Sequence, residues 1–219
     1  MLKIIRSPEN PILGPDYQSA WESEAAFNGC PVKSNGVIHF LYRAVSPLKE
    51  HHGHVMSVSS VGYAVSRDGI HFRNRRRFIA PEYDWEKFGC EDPRATRLGK
   101  TFYIFYTALS EYPFSPEGIH IGVALTNDFK TISQKHQVTH FNSKAMALFP
   151  ELINGKMAAV LTVNTDRPPA KIAVALFEKE EDIWSRAKWD AWLADLPHHV
   201  ISLQRTPHDH IEVGAPPVK

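Results

Sequence analysis

The chain has 219 residues, 43% of them hydrophobic and 22% charged, enough for one globular domain with a sizeable core and not obviously enough for two. Its formal net charge of +1 supplies no basic excess for a nucleic-acid backbone and no acidic run for a solvating tail, so nucleic acid is not expected as a partner. Cys30 and Cys90 form neither a Cys-x-x-Cys metal pair nor a disulfide framework, and no signal-like or membrane-length apolar stretch occurs, which predicts one soluble cytoplasmic domain over residues 1–219 with no membrane partner.

In chain order the pattern is mostly β. Asn35-Gly36 is a tight-turn signal, because glycine supplies the positive φ that such hairpins need, and it precedes the apolar run Val37-Ile38-His39-Phe40-Leu41-Tyr42. A similar strand follows at Val61-Gly62-Tyr63-Ala64-Val65-Ser66, and Asp68-Gly69-Ile70-His71-Phe72 reads as a strand leading to an outer edge. The order recurs as Leu98-Gly99-Lys100, Thr101-Phe102-Tyr103-Ile104-Phe105-Tyr106, Ile121-Gly122-Val123-Ala124-Leu125-Thr126 and Asn127-Asp128-Phe129-Lys130. It recurs again as Asn154-Gly155-Lys156, residues 157–163 and Lys171-Ile172-Ala173-Val174-Ala175-Leu176. Gly62 and Gly122 lie 60 residues apart and Tyr42 and Tyr106 lie 64 apart. A multi-stranded unit of that period indicates a propeller blade, not a doubly wound α/β domain.

Residues 178–196, with Trp184, Trp189 and Trp192, read as an amphipathic helical or irregular insertion whose tryptophans pack. Residues 212–219 read as the opening strand of a fourth unit. Three units and a fragment cannot close a ring, which predicts either a truncated chain or a homo-oligomer in which another copy covers the open edge.

The chemistry concentrates in Gly89-Cys90-Glu91-Asp92-Pro93-Arg94-Ala95-Thr96, where adjacent carboxylates precede a proline and an arginine at the start of an inner strand. Proline biases the preceding residue toward extended backbone, so Glu91 and Asp92 are expected to point to opposite sides, only one of them into a central cavity. A carboxylate beside Arg94 would hold its proton weakly; an acid role for Asp92 therefore needs burial or a substrate hydroxyl to oppose the arginine. Alone, the tetrapeptide is equally compatible with a solvated salt bridge.

Asn10-Pro11-Ile12-Leu13, Trp21-Glu22, Ala26-Phe27-Asn28, Tyr42-Arg43-Ala44, Ser66-Arg67-Asp68-Gly69-Ile70, Glu91-Asp92-Pro93-Arg94, Leu148-Phe149-Pro150-Glu151 and Gly214-Ala215-Pro216-Pro217 occur in an order and spacing that resembles glycoside hydrolase family 130, the mannoside phosphorylases and mannosidases. The resemblance implies an all-β, five-bladed β-propeller, of which this chain would hold about three blades and the start of a fourth. It also implies a site at one end of the central cavity, a β-mannoside oligosaccharide as substrate, an inverting mechanism and no cofactor. Asp92 then falls on the family's general acid, acting through a sugar hydroxyl, and Asn28, Arg43, Glu91 and Arg94 are the expected substrate contacts. An ion pair for Arg43 and a turn role for Asn28 are the structural alternatives.

The family divides by nucleophile: phosphorylases hold an inorganic phosphate co-substrate with converging basic groups, whereas hydrolases activate water with a carboxylate. Lys144 is a candidate phosphate contact. The His-Arg pair usual in the phosphorylases reads Leu161-Thr162 here, and Glu212 stands where their pattern has a lysine two residues before Gly214. An anion there repels phosphate and supplies a base, so the expectation leans to hydrolysis, with Asp92 and Glu212 catalytic and Lys144 a binding residue. The alternatives are a phosphorylase yielding mannose 1-phosphate and an inactive or partner-completed sugar-binding fragment. His51-His52-Gly53-His54, His198-His199 and His208-Asp209-His210 invite a metal reading but sit in polar stretches without a full ligand set, so no metal is expected; the first could instead cover the sugar cavity.

Overall fold

The computed structural model describes residues 7–203 and 211–219. The first repeat comprises β1 (Ala25–Ser34) and β2 (Val37–Val45), a small hairpin of β3 (Lys49–His51) and β4 (His54–Met56), then β5 (Ser59–Ser66) and β6 (Arg73–Ile79). Antiparallel pairing in the order β1-β2-β5-β6 makes it a four-stranded blade. The second blade is β7 (Gly89–Leu98), β8 (Thr101–Leu109), β9 (Ile119–Thr126) and β10 (Gln134–Gln137), paired in that order. The third is β11 (Ser143–Leu148), β12 (Met157–Val163) and β13 (Lys171–Phe177), with a bridge from Ala173 to Val200 at its outer edge. Blades 1 and 2 meet through the parallel pair Ser59 and Gly89. The expected all-β architecture of about three blades is therefore present, but residues 212–219, expected as the opening strand of a fourth, form no strand and are instead tied to β7 and β12 by hydrogen bonds to Arg94 and Thr162.

The hairpins form where the turn residues demand. Asn35 and Gly36 have φ of 51° and 74°, and Asn154 and Gly155 have 52° and 79°, the double positive φ of tight hairpin turns. The outer-edge expectation needs correction, because Asp68-Gly69-Ile70-His71 and Asn127-Asp128-Phe129-Lys130 are turns, not strands. Asp68 Oδ1 accepts from the backbone N–H groups of Ile70 and His71, and Asp128 Oδ1 does so from Lys130 and Thr131. These local bonds fold the chain back before it can extend, and the fourth strands begin only at Arg73 and Gln134.

A central blade buries both faces, which explains the continuous apolar run of β8. Tyr103 and Phe105 pack toward blade 3 with Leu148, Leu161 and Trp189, while Phe102, Ile104 and Tyr106 pack toward blade 1 with Leu41, Val61 and Phe78. The 178–196 stretch contains α1 (Arg186–Ala194), and its tryptophans pack as expected. Trp189 is buried and donates from Nε1 to Ile183 O at 2.7 Å, and Trp192 Nε1 donates to Val174 O at 3.1 Å.

Blades 1 and 2 also repeat a buried polar clasp. Tyr42 Oη donates to Glu22 at 2.8 Å, and Arg75 from β6 reaches the same carboxylate. In blade 2, Tyr106 Oη donates to Glu86 at 2.6 Å and Lys135 from β10 pairs with it. Each tyrosine ring lies flat against a glycine of the next strand, Gly62 or Gly122. Leu161 and Ala173 take these places in blade 3.

Candidate functional site

All three inner strands carry a bulge at the same register. Asn28-Gly29 stand opposite Tyr42, Asp92-Pro93 opposite Tyr106, and Ala145-Met146 opposite Leu161. The first residue of each pair is left-handed: φ is 51° at Asn28, 51° at Asp92 and 57° at Ala145. Asp92 therefore departs from the extended backbone expected before a proline, since the bulge imposed by the blade prevails over the local preference. The predicted opposition of Glu91 and Asp92 fails with it. The bulge turns both carboxylates toward Arg43, whose Nη2 lies 2.6 Å from Glu91 Oε1 and whose Nη1 lies 3.7 Å from Asp92 Oδ1.

Asn28 Nδ2 donates to Asp92 Oδ1 at 2.7 Å, so the first two bulges meet side chain to side chain. Burial pushes the Glu91 carboxyl above its ordinary range, opposed by the Arg43 charge and by the Ser59 hydroxyl, which donates to Glu91 Oε1 at 2.9 Å. Arg43 Nε in turn donates to Ser59 Oγ at 3.1 Å. Ser59 was not among the residues singled out by sequence; a serine in the run Ser57-Val58-Ser59-Ser60 carries no spacing signal. Its pairing with Gly89 at the blade junction brings it here.

Arg94 and the Asp92 carboxylate attract each other, as expected of neighbours in the tetrapeptide, but the guanidinium makes its hydrogen bonds to backbone. Arg94 donates to the carbonyls of Asp92 (3.0 Å), Val213 (2.9 Å) and Gly214 (2.8 Å), so it ties residues 213–214 to β7. Thr162 Oγ1 accepts from the Val213 N–H at 2.9 Å, while its neighbour Leu161 is buried in the core between blades. Thr162 thus anchors the segment that carries Glu212, while Leu161 serves the core. The Glu212 carboxylate lies 3.0 Å from Lys144 Nζ and 3.6 Å from Arg94 Nη2.

The seven candidate residues thus form a connected group at one end of the inner strands: Asn28, Arg43, Glu91 and Asp92 on one side, and Lys144, Arg94 and Glu212 on the other. Below them a cavity of about 730 Å³ runs past Cys30, Val32, Ala95 and Thr96 to Lys33, Arg97 and Pro150. The β3–β4 histidines wrap an aromatic cluster beside Ser59. His51 Nε2 lies 2.6 Å from Lys87 O, and the His54 and Tyr112 rings are 5.0 Å apart. Among the described residues no group of three His, Cys, Asp or Glu side chains could hold a metal, and no helix is long and apolar enough to cross a membrane. His208-Asp209-His210 lies outside the described residues.

A family model described as beta-1,4-mannooligosaccharide phosphorylase matches residues 4–219. The chain is 30% identical over 224 residues to a 1,2-beta-oligomannan phosphorylase of Thermoanaerobacter sp. (strain X514), covering all of this chain and 69% of that protein. A beta-1,2-mannobiose phosphorylase of the same organism is 33% identical over 162 residues, 71% of this chain and 53% of the relative. Among solved structures, the beta-1,2-mannobiose phosphorylase of Listeria innocua superposes with a TM-score of 0.66 at 21% identity, covering 80% of this chain and 62% of that one. A structure described in terms of family 130 hydrolases that target beta-1,2 mannosidic linkages in Candida mannan gives 0.65 at 22% identity, covering 80% and 55%. The chain thus spans from about half to just over two thirds of the length of these proteins.

Proposed function

The chain belongs to glycoside hydrolase family 130, with about three blades of its five-bladed propeller, and from that premise we propose that it serves the phosphorolysis of a β-mannoside, with Asp92 as proton donor. The observation that carries this reading is the meeting of Asp92 with Asn28 and Arg43 beside the further cations Lys144 and Arg94. Asp92 gives its proton, by way of a substrate hydroxyl, to the glycosidic oxygen. A phosphate oxygen attacks the anomeric carbon from the opposite face as the C–O bond breaks. The products are mannose 1-phosphate of inverted configuration and a mannoside shortened by one unit. Arg43 and Asn28 orient the sugar at Asp92, and Lys144 contributes charge for the phosphate co-substrate.

This replaces the lean to hydrolysis, because the relatives matched over most of this chain are described as phosphorylases. One observation keeps hydrolysis as the second reading: the Glu212 carboxylate stands against Lys144 and Arg94, where a phosphate would need them, and it is a base that could activate water. Incubation with β-mannobioses of each linkage, with and without inorganic phosphate, separates the two. Phosphate-dependent mannose 1-phosphate supports phosphorolysis; free mannose formed equally without phosphate overturns it in favour of Glu212-assisted hydrolysis.

A further inference from the structure

The guanidinium of Arg43 is held on three sides. Nη2 is on Glu91 at 2.6 Å, Nε is on Ser59 at 3.1 Å, and only Nη1 faces Asp92, at 3.7 Å. The Ser59 hydroxyl closes a ring by donating to the same Glu91 oxygen that Arg43 engages. Ser59 is 5% exposed, and its backbone pairs with Gly89 where blades 1 and 2 join. The backbone of the blade junction therefore sets the position of this hydroxyl.

The 3.7 Å separation matters for a proton donor. An arginine in full bidentate contact with a carboxylate favours the charged form and opposes protonation. We propose that Ser59 is a positioning residue: by engaging Nε while donating to Glu91, it holds Arg43 off Asp92 so that Asp92 can carry the proton it delivers. The inference rests on the reading of Asp92 as the acid. Two other contacts of Asp92 favour its charged form and do not depend on Ser59: Asn28 Nδ2 donates to Asp92 Oδ1 at 2.7 Å, and Arg94, whose hydrogen bonds go to backbone carbonyls, still attracts the Asp92 charge. Lys144 and Glu212, the remaining charged pair of the cluster, are joined to each other at 3.0 Å. With Ser59 truncated, Nε loses its acceptor and Glu91 loses a donor. The guanidinium is then free to close on Asp92.

The test is a pH titration of the Asp92 carboxyl carbon in the ¹³C-labelled chain, its resonance identified by its absence in Asp92→Asn. Ser59→Ala is expected to lower the midpoint by roughly one pH unit, the effect of a closer opposite charge, and Ser59→Thr, which keeps the hydroxyl, to restore it. Ser59→Cys, nearly the same size and a poor acceptor, replaces Ser59→Ala if that variant does not fold. A midpoint that stays put or rises in the Ala or Cys variant overturns the proposal. The measurement needs no turnover, so failure of the parent chain to cleave mannosides would count against the proposed reaction and leave the titration to decide the role of Ser59.

Discussion

Asn28 and Asp92 occupy the same place in successive blades, the left-handed first residue of an inner-strand bulge, and their side chains join at 2.7 Å. The third bulge places Ala145 there, with no polar group to offer. One backbone device, repeated three times, thus presents an amide and a carboxylate at the cavity in blades 1 and 2, while in blade 3 it turns a methyl into the core beside Ile172 and Val213. The repeat builds a platform, and side-chain identity at the bulge decides what each blade presents; in the proposed reaction only blade 2 offers a carboxyl there.

Asp92→Asn preserves the shape and the contact with Asn28 but removes the proton. Turnover of natural mannosides is expected to fall by roughly 10²- to 10⁴-fold with the melting temperature little changed. Turnover at the parent rate would remove Asp92 from the mechanism.

Glu212→Gln keeps the size of the side chain and removes the anion between Lys144 and Arg94. If the site takes phosphate, the KM for phosphate is expected to fall severalfold, because both cations lose a competing partner. If Glu212 is instead the base, phosphate-independent release of mannose collapses. Product analysis by chromatography distinguishes the two directions.

Much of the frame was legible in the sequence, because turn residues and apolar runs act locally. Asn35-Gly36 and Asn154-Gly155 announced their hairpins, and the recurrence of Gly62 at Gly122 and of Tyr42 at Tyr106 announced the blades. The failures came where tertiary structure competes with a local rule. The proline after Asp92 argued for extended backbone, and the bulge overrode it. Asp68 and Asp128 bonded their own backbone and turned expected strands into turns. Ser59 gave no signal, since its hydrogen-bond partners lie 16 and 32 residues away. The path by which Arg94 and Thr162 fix the segment of Glu212 likewise appears only once β7, β12 and residues 213–214 are side by side.

The clasp of blade 2 yields a stability prediction. Glu86 is fully buried and is bound by Tyr106 and Lys135, with the Lys135 ammonium also on Ala80 O at 2.9 Å. Lys135→Met fills similar volume but leaves a buried carboxylate without its cation. A loss of about 3–5 kcal/mol is expected, read by urea denaturation. The double variant Lys135→Met with Glu86→Gln should recover much of it, because no uncompensated charge remains. A single variant as stable as the parent would show that water reaches Glu86.

Gly122 tests whether the tyrosine–glycine pairing is a packing constraint. A Cβ at Gly122 would lie 2.6 Å from the Tyr106 ring and 2.7 Å from Trp85, and Tyr106 is held in place by Glu86. Gly122→Ala is therefore expected to destabilise by about 1–3 kcal/mol through overpacking. Blade 3 shows the alternative solution, since Leu161 and Ala173 occupy the corresponding places and no aromatic ring lies there. Introducing Tyr106→Leu together with Gly122→Ala recreates that pair in blade 2. The combined loss should be smaller than the sum of the two single losses, as expected for residues in contact. Strict additivity in thermal denaturation would mean that the ring and the glycine do not constrain each other, and that the recurrence of the pair in blades 1 and 2 has another cause.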